Sequence, residues 1–219
     1  MTLLEFARGP GLQWSLVILT VGMLWRLVGI LALKHKSDFA EPRARGTAVV
    51  SGAVKTLFTR MVYAKPFRTQ TTLPNVLSYV FHIGLAIVVF GFGPHILFIR
   101  DLTGLSWPNL PSGMIYLTGV ITLGALVAVL VRRMTHPVLR LLSNFDDYFS
   151  WLVTVLPIAT GLLAVAHLGA RYETLLALHI LSVELLFVWL PFGKLGHAFL
   201  VFVSRATTGA LFARRGAAT

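Results

Sequence analysis

The chain contains no cysteine. That excludes a disulfide framework, Cys-ligated zinc, a thiolate-held iron–sulfur cluster and CxxCH haem attachment. Charge is also scarce: Asp, Glu, Lys and Arg make up 12% of the 219 residues, about half the share of a soluble domain. Acidic residues are the rarest, 8 against 19 Lys and Arg. What is abundant is apolar, with 56% hydrophobic residues and a mean hydropathy of +0.79. So few charges cannot clothe a water-facing surface. An ordinary soluble enzyme, a disordered chain and a nucleic-acid-binding domain are excluded, despite the net charge of +11. The class is an all-α integral membrane protein.

A helix crosses the roughly 30 Å hydrocarbon core in about 20 residues. Five stretches qualify: 11–33, 76–99, 114–131, 148–168 and 174–203. The first is interrupted by Arg26. It lacks the basic cluster and small-residue cleavage site of a cleavable signal. The last is long for one span and carries Pro191 and Lys194, so it is expected to run out into the cytoplasmic interface. With no internal repeat, residues 1–219 read as a single membrane domain.

Apart from Arg8, Arg26, Arg100 and Arg171, every Lys and Arg falls in the loop after the first span, the loop after the third, or the C-terminal region. The positive-inside rule then places those segments in the cytoplasm and the N-terminus outside. The expected location is a prokaryotic cytoplasmic membrane, crossed five times, with the C-terminus inside. Most of the net charge is thus a topology signal. Within the cytoplasmic loop 34–75, Val50, Val54, Leu57 and Met61 recur at helical spacing. They predict an amphipathic helix over about 49–63, either lying on the lipid surface or serving as a docking platform for a partner subunit.

Ionisable residues inside spans are costly and are functional candidates by default. His82 and His95 lie on the second span, His179 and His197 on the fifth. These spans run in opposite directions, so His82 meets His197 near the inner surface and His95 meets His179 near the outer. The separations, thirteen and eighteen residues, correspond to about 20 Å and 27 Å of helix. Two facing neutral imidazoles are an axial ligand pair for haem iron, whereas zinc wants four ligands. Arg68 and Lys194 inside, and Arg100 outside, are candidate partners for haem propionates. Gly84, Gly91, Gly93 and Gly196 are expected to leave room for a macrocycle.

At about 100° per residue, His179 and His197 share a face, but His95 lies roughly 140° out of phase with His82. Pro94, within Gly91-Phe92-Gly93-Pro94, can rewind the helix and restore the facing; otherwise His167 is the substitute. Glu184, in mid-span, is a candidate proton or quinone contact. Asp146 and Asp147 are expected to pair with the basic inner loop. Trp107, Pro108 and Asn109 fit an interfacial belt or a quinone headgroup site.

The stretch from His179 through Pro191-Phe192-Gly193-Lys194 to His197 resembles the gamma subunit of respiratory nitrate reductase. That family has a ligating His, Pro-Phe twelve residues on, then a basic residue and a second ligating His. Phe81-His82-Ile83-Gly84 is similar to the family's first ligand motif. The position ten residues after His82, where the family has its second His, is Phe92 here. The wider family includes membrane subunits of heterodisulfide-reductase-like and sulfite-reduction-associated complexes. The resemblance implies a cytochrome b subunit with two haem b groups, His82 and His197 holding the inner one and His95 and His179 the outer. Such a subunit exchanges electrons between membrane quinone and a cytoplasmic iron–sulfur protein with its catalytic subunit. It is an electron-transfer subunit and not itself the catalytic one. The competing expectation is a haem-free membrane anchor or assembly subunit with structural histidines.

Overall fold

The computed structural model describes residues 1–33, 41–61 and 68–217, and every regular element among them is helical. A short α1 (Leu3–Phe6) is closed by a Thr2–Glu5 capping box. A π turn at Ala7–Gly11, containing Pro10, then leads into α2 (Leu12–Leu31). There follow α3 (Thr47–Thr59), α4 (Arg68–Gly91), α5 (Gly93–Thr103), α6 (Ser112–Thr135), α7 (Pro137–Leu142) and α8 (Phe145–Ala166). The chain ends with α9 (Tyr172–Trp189), a 3₁₀ turn at Lys194–Gly196 and α10 (His197–Arg215).

Two of the five expected spans are not continuous helices. The second breaks at Phe92, whose backbone is extended (φ −81°, ψ 127°) between α4 and α5. Pro94 is tolerated in the first turn of a helix, where its missing N–H has no intrahelical partner anyway. It therefore opens α5 instead of kinking α4. The fifth stretch, 174–203, divides at Pro191 into α9 and α10. Among the described residues, six helical segments rather than five are long and apolar enough to cross a membrane: Leu3–Leu31, Thr71–Gly91, Ser112–Thr135, Phe145–Ala166, Tyr172–Trp189 and Lys194–Arg215.

Within the bundle, α4 packs on α6, α6 on α8, α8 on α9, and α9 on α2. Val17, Val21, Leu24 and Val28 of α2 and Leu117, Val120 and Ile121 of α6 face outwards, and the interior holds Ser15, Thr122, Ser150, Ser182 and Glu184 among apolar side chains such as Leu126, Val153, Ile158 and Leu175. Lipid solvates apolar side chains as well as a core does, so apolar residues lie on both sides and small and polar ones also serve at helix contacts. The molecule is a helical membrane protein.

The amphipathic helix expected at 49–63 is α3, which ends at Thr59; Val62 and Tyr63 lie outside the described residues, as do Lys34, Lys36 and Lys65 of the same loop. α3 packs antiparallel on α10, Thr56 lying over Gly209 and Gly52 under Ala213. Its thirteen residues rise only about 20 Å, too little for the hydrocarbon core.

Candidate functional site

The break at Phe92 turns α5 so that His95 faces α9. The rings of His95 and His179 lie 6.1 Å apart, centre to centre, with their planes 17° from parallel. At the other end of the bundle, His82 of α4 and His197 at the start of α10 also lie 6.1 Å apart, their planes 72° apart. Both expected pairs are therefore assembled. His167 is elsewhere: it ends α8 in a left-handed conformation (φ 54°) and stacks near Tyr172.

Each imidazole is held in the same way. The Nδ1 of His82 donates to the Ser78 carbonyl (2.7 Å), that of His95 to Val88 (3.0 Å), that of His179 to Pro157 (3.1 Å) and that of His197 to Lys194 (2.9 Å). A carbonyl oxygen can only accept, so Nδ1 donates on all four rings, and in a neutral imidazole that leaves the Nε2 lone pair for a metal. That is the arrangement in which a histidine binds a metal through one nitrogen while a backbone carbonyl orients it through the other.

The spacing fits an iron between each pair. Two axial nitrogens, each bound at about 2.0 Å, set the ring centres roughly 6 Å apart. Neither α4 and α10 nor α5 and α9, the helices that carry the two pairs, are among the extensively packed helix pairs. Among the described residues, no group of three or more His, Asp or Glu forms, so zinc's usual four ligands are not gathered. The residues present thus suit a bis-imidazole haem.

The outer site rests on a detailed support. The break at Phe92 strips helical partners from the last carbonyls of α4, which cannot stay bare. Phe90 receives the Trp107 indole N–H (2.6 Å) and Gly91 the Leu110 amide (2.9 Å), while Val88, which still accepts the helical Phe92 amide (3.3 Å), also receives His95. The outer loop therefore seals the break, a role its composition did not announce. On the other side, Thr160 contacts both His179 Nδ1 (3.3 Å) and Ser182 (3.0 Å). A Cβ at Gly161 would lie 3.2 Å from the His179 ring.

The inner site is framed by charge. Lys194 donates to Asp147 at 2.5 Å, and Asp147 also pairs with Arg133 at 3.0 Å. The amide of Lys194 and the hydroxyl of Ser150 both donate to Asp146 (3.1 and 2.7 Å). Asp147 thus pairs with the basic inner side as expected, whereas Asp146 accepts from a backbone amide and a hydroxyl and from no basic side chain, and Lys194, read as a propionate partner, is already held by a carboxylate. Arg68 opens α4, but its side chain lies outside the described residues. Arg100 pairs with its exposed neighbour Asp101 at 3.2 Å.

One further reading needs correcting. The glycines read as room for a macrocycle are covered by protein: Thr122 sits over Gly84, Leu110 and Ile115 over Gly91, Asn109 near Gly93, and Arg26 over Gly196. Glu184 is buried at 7% exposure and lies against Gly11 of the π turn. Its Oε1 finds no hydrogen-bond partner among the described residues.

No family model matches the chain. It is 33% identical over 220 residues to a protein of Nitratidesulfovibrio vulgaris (strain Hildenborough), the match covering 98% of this chain and 96% of that protein. The chain belongs to the same family as that protein. The match therefore spans nearly the whole of both chains and not a single motif.

Proposed function

We propose that the chain is a dihaem cytochrome b subunit that exchanges electrons between the membrane quinone pool and a cytoplasmic iron–sulfur oxidoreductase. The observation that carries this reading is the pair of facing imidazoles at each end of the bundle, both 6.1 Å apart, with every Nδ1 committed to a carbonyl. Zinc is disfavoured by ligand number, since among the described residues no third His, Asp or Glu joins either pair. When bound, haem b supplies a one-electron iron couple at each site.

The chain's own residues do the rest. His95 and His179 hold the outer centre, and His82 and His197 the inner one nearer the partner. Carbonyl bonds to Nδ1 raise the basicity of the ligating nitrogens. The apolar spans exclude water from the electron path. Glu184 is the membrane-embedded carboxyl available to exchange a proton with quinol, and Arg100, already paired with exposed Asp101, is the cation that would serve an outer propionate. Since the chain has no cysteine, the iron–sulfur relay belongs to the partner.

Positive-inside topology places the N-terminus outside, in a prokaryotic cytoplasmic membrane. In this reading α10 is not a sixth span. It lies with α3 at the inner surface, because α3 is too short to cross beside it and the pair carries Lys55, Arg60, Arg205, Arg214 and Arg215.

The test is a pyridine-haemochrome assay with a dithionite-reduced spectrum on the purified full chain. Two b haems per chain are expected. None, in a preparation that retains its cofactors, makes the chain a haem-free anchor.

A further inference from the structure

Arg26 is a cation inside a membrane helix, a placement that is costly without partners. Something must offset that cost. Part of the answer is on α9: Arg26 Nη1 donates to the carbonyls of Pro191 (3.0 Å) and Gly193 (3.1 Å). These carbonyls lie just past the C-terminal end of α9, where backbone acceptors lack helical partners and the helix dipole is negative. The same nitrogen would lie 2.6 Å from a Cβ at Gly196, the residue before His197. Arg26 thus clamps one side of the turn that delivers His197, and Asp146 holds the other side through the Lys194 amide.

Two carbonyls do not neutralise a guanidinium. Among the described residues, no carboxylate pairs with Arg26, and only one of its nitrogens is engaged in the bonds above. The neighbouring cation, Lys194, is by contrast satisfied by Asp147 at 2.5 Å. A half-buried guanidinium with free donors, beside a metal-ligand residue and without a counterion, is an anion site. A planar fork of this kind suits a carboxylate.

We infer that Arg26 is the cationic partner of a propionate carboxylate of the inner haem, as well as the positioning residue for the His197 turn. This rests on the dihaem reading. The same fork would also accept a lipid phosphate, so the test must separate the two sources.

The full-length chain is purified with its haems as wild type, Arg26→Gln and Arg26→Lys. Haem per chain, the midpoint potential of the inner haem and its propionate-bending Raman band are read. The inner signals are those absent from His197→Ala. Arg26→Gln is expected to lower the inner potential and shift the band while leaving the outer haem unchanged, because a nearby cation destabilises the oxidised, more positively charged centre relative to the reduced one and its loss removes that bias. Arg26→Lys keeps the charge and is expected to restore the potential, with the band still shifted because the fork is gone. An inner haem whose potential and band are unchanged in Arg26→Gln overturns the inference and leaves Arg26 as a turn clamp or a lipid-phosphate site. Should Arg26→Gln lose the inner haem outright, Arg26→Lys decides, and an unshifted band there overturns it. A wild type without haem removes the dihaem reading and this inference together; two haems with an indifferent Arg26 remove only this one.

Discussion

The two histidine pairs have the same ring separation but are built by different means. The outer pair is made by breaking a helix within the second span and sealing the break from the outer loop, with the α8 segment Pro157–Gly161 pressed against His179. The inner pair is made by ending α9 at Pro191 and restarting the chain at His197, with Arg26, Asp146 and Asp147 holding the connection. One end relies on polar groups buried among helices, the other on charged groups near the cytoplasmic surface. The lesson is that a ligand geometry does not require one helix phase; it requires only that the chain be interrupted where the phase is wrong and that the freed backbone groups be satisfied.

That contrast can be broken most directly by removing a ligand. His197→Ala is expected to leave about one haem per chain and to stop delivery of electrons to the partner, whereas His179→Ala removes the outer haem and quinol-linked reduction. Haem quantitation and separate redox titrations check both, and equal spectra for the two variants would contradict the division into sites.

The next largest effect comes from healing the break. Phe92→Ala combined with Gly93→Ala and Pro94→Ala favours a continuous helix, carrying His95 about 140° away from its partner. The outer haem should be lost and the inner one kept. Retention of both would show that the break is not what aligns His95.

A finer probe is Gly161→Val, which adds bulk where even a Cβ lies 3.2 Å from the His179 ring. Outer-haem retention is expected to fall by about ten-fold, the scale of damage to groups that orient a metal ligand, with the inner spectrum unchanged. The smallest expected effect is Trp107→Phe, which removes the indole bond to the Phe90 carbonyl and should destabilise the outer end by about 1 kcal/mol, measured as a lowered melting temperature of the purified chain.

Much of this was legible in the residues. Long apolar runs identified the spans, because nothing but lipid solvates such segments. The order of His82, His95, His179 and His197 on two antiparallel spans identified the pairs. The flag at Gly91-Phe92-Gly93-Pro94 was also correct as to place. The rest was hidden for specific reasons. Arg26 passed as an interruption because its partners, the Pro191 and Gly193 carbonyls, lie about 165 residues away. Lys194 looked free because Asp147 reaches it only after α8 packs on α9. The glycines near the ligands looked like cofactor space because spacing does not show which neighbour fills them.

By itself, then, the sequence determined that this is a helical membrane protein, roughly where its apolar segments lie, and which four histidines can meet, since composition and local backbone preference act residue by residue. The tertiary structure alone decided that the fifth stretch is two helices, that His95 and not His167 faces His179, and that Arg26 meets two carbonyls and, among the described residues, no carboxylate. Those outcomes depend on hydrogen bonds between residues far apart in the chain, and no local pattern encodes which distant carbonyl or carboxylate a side chain will reach.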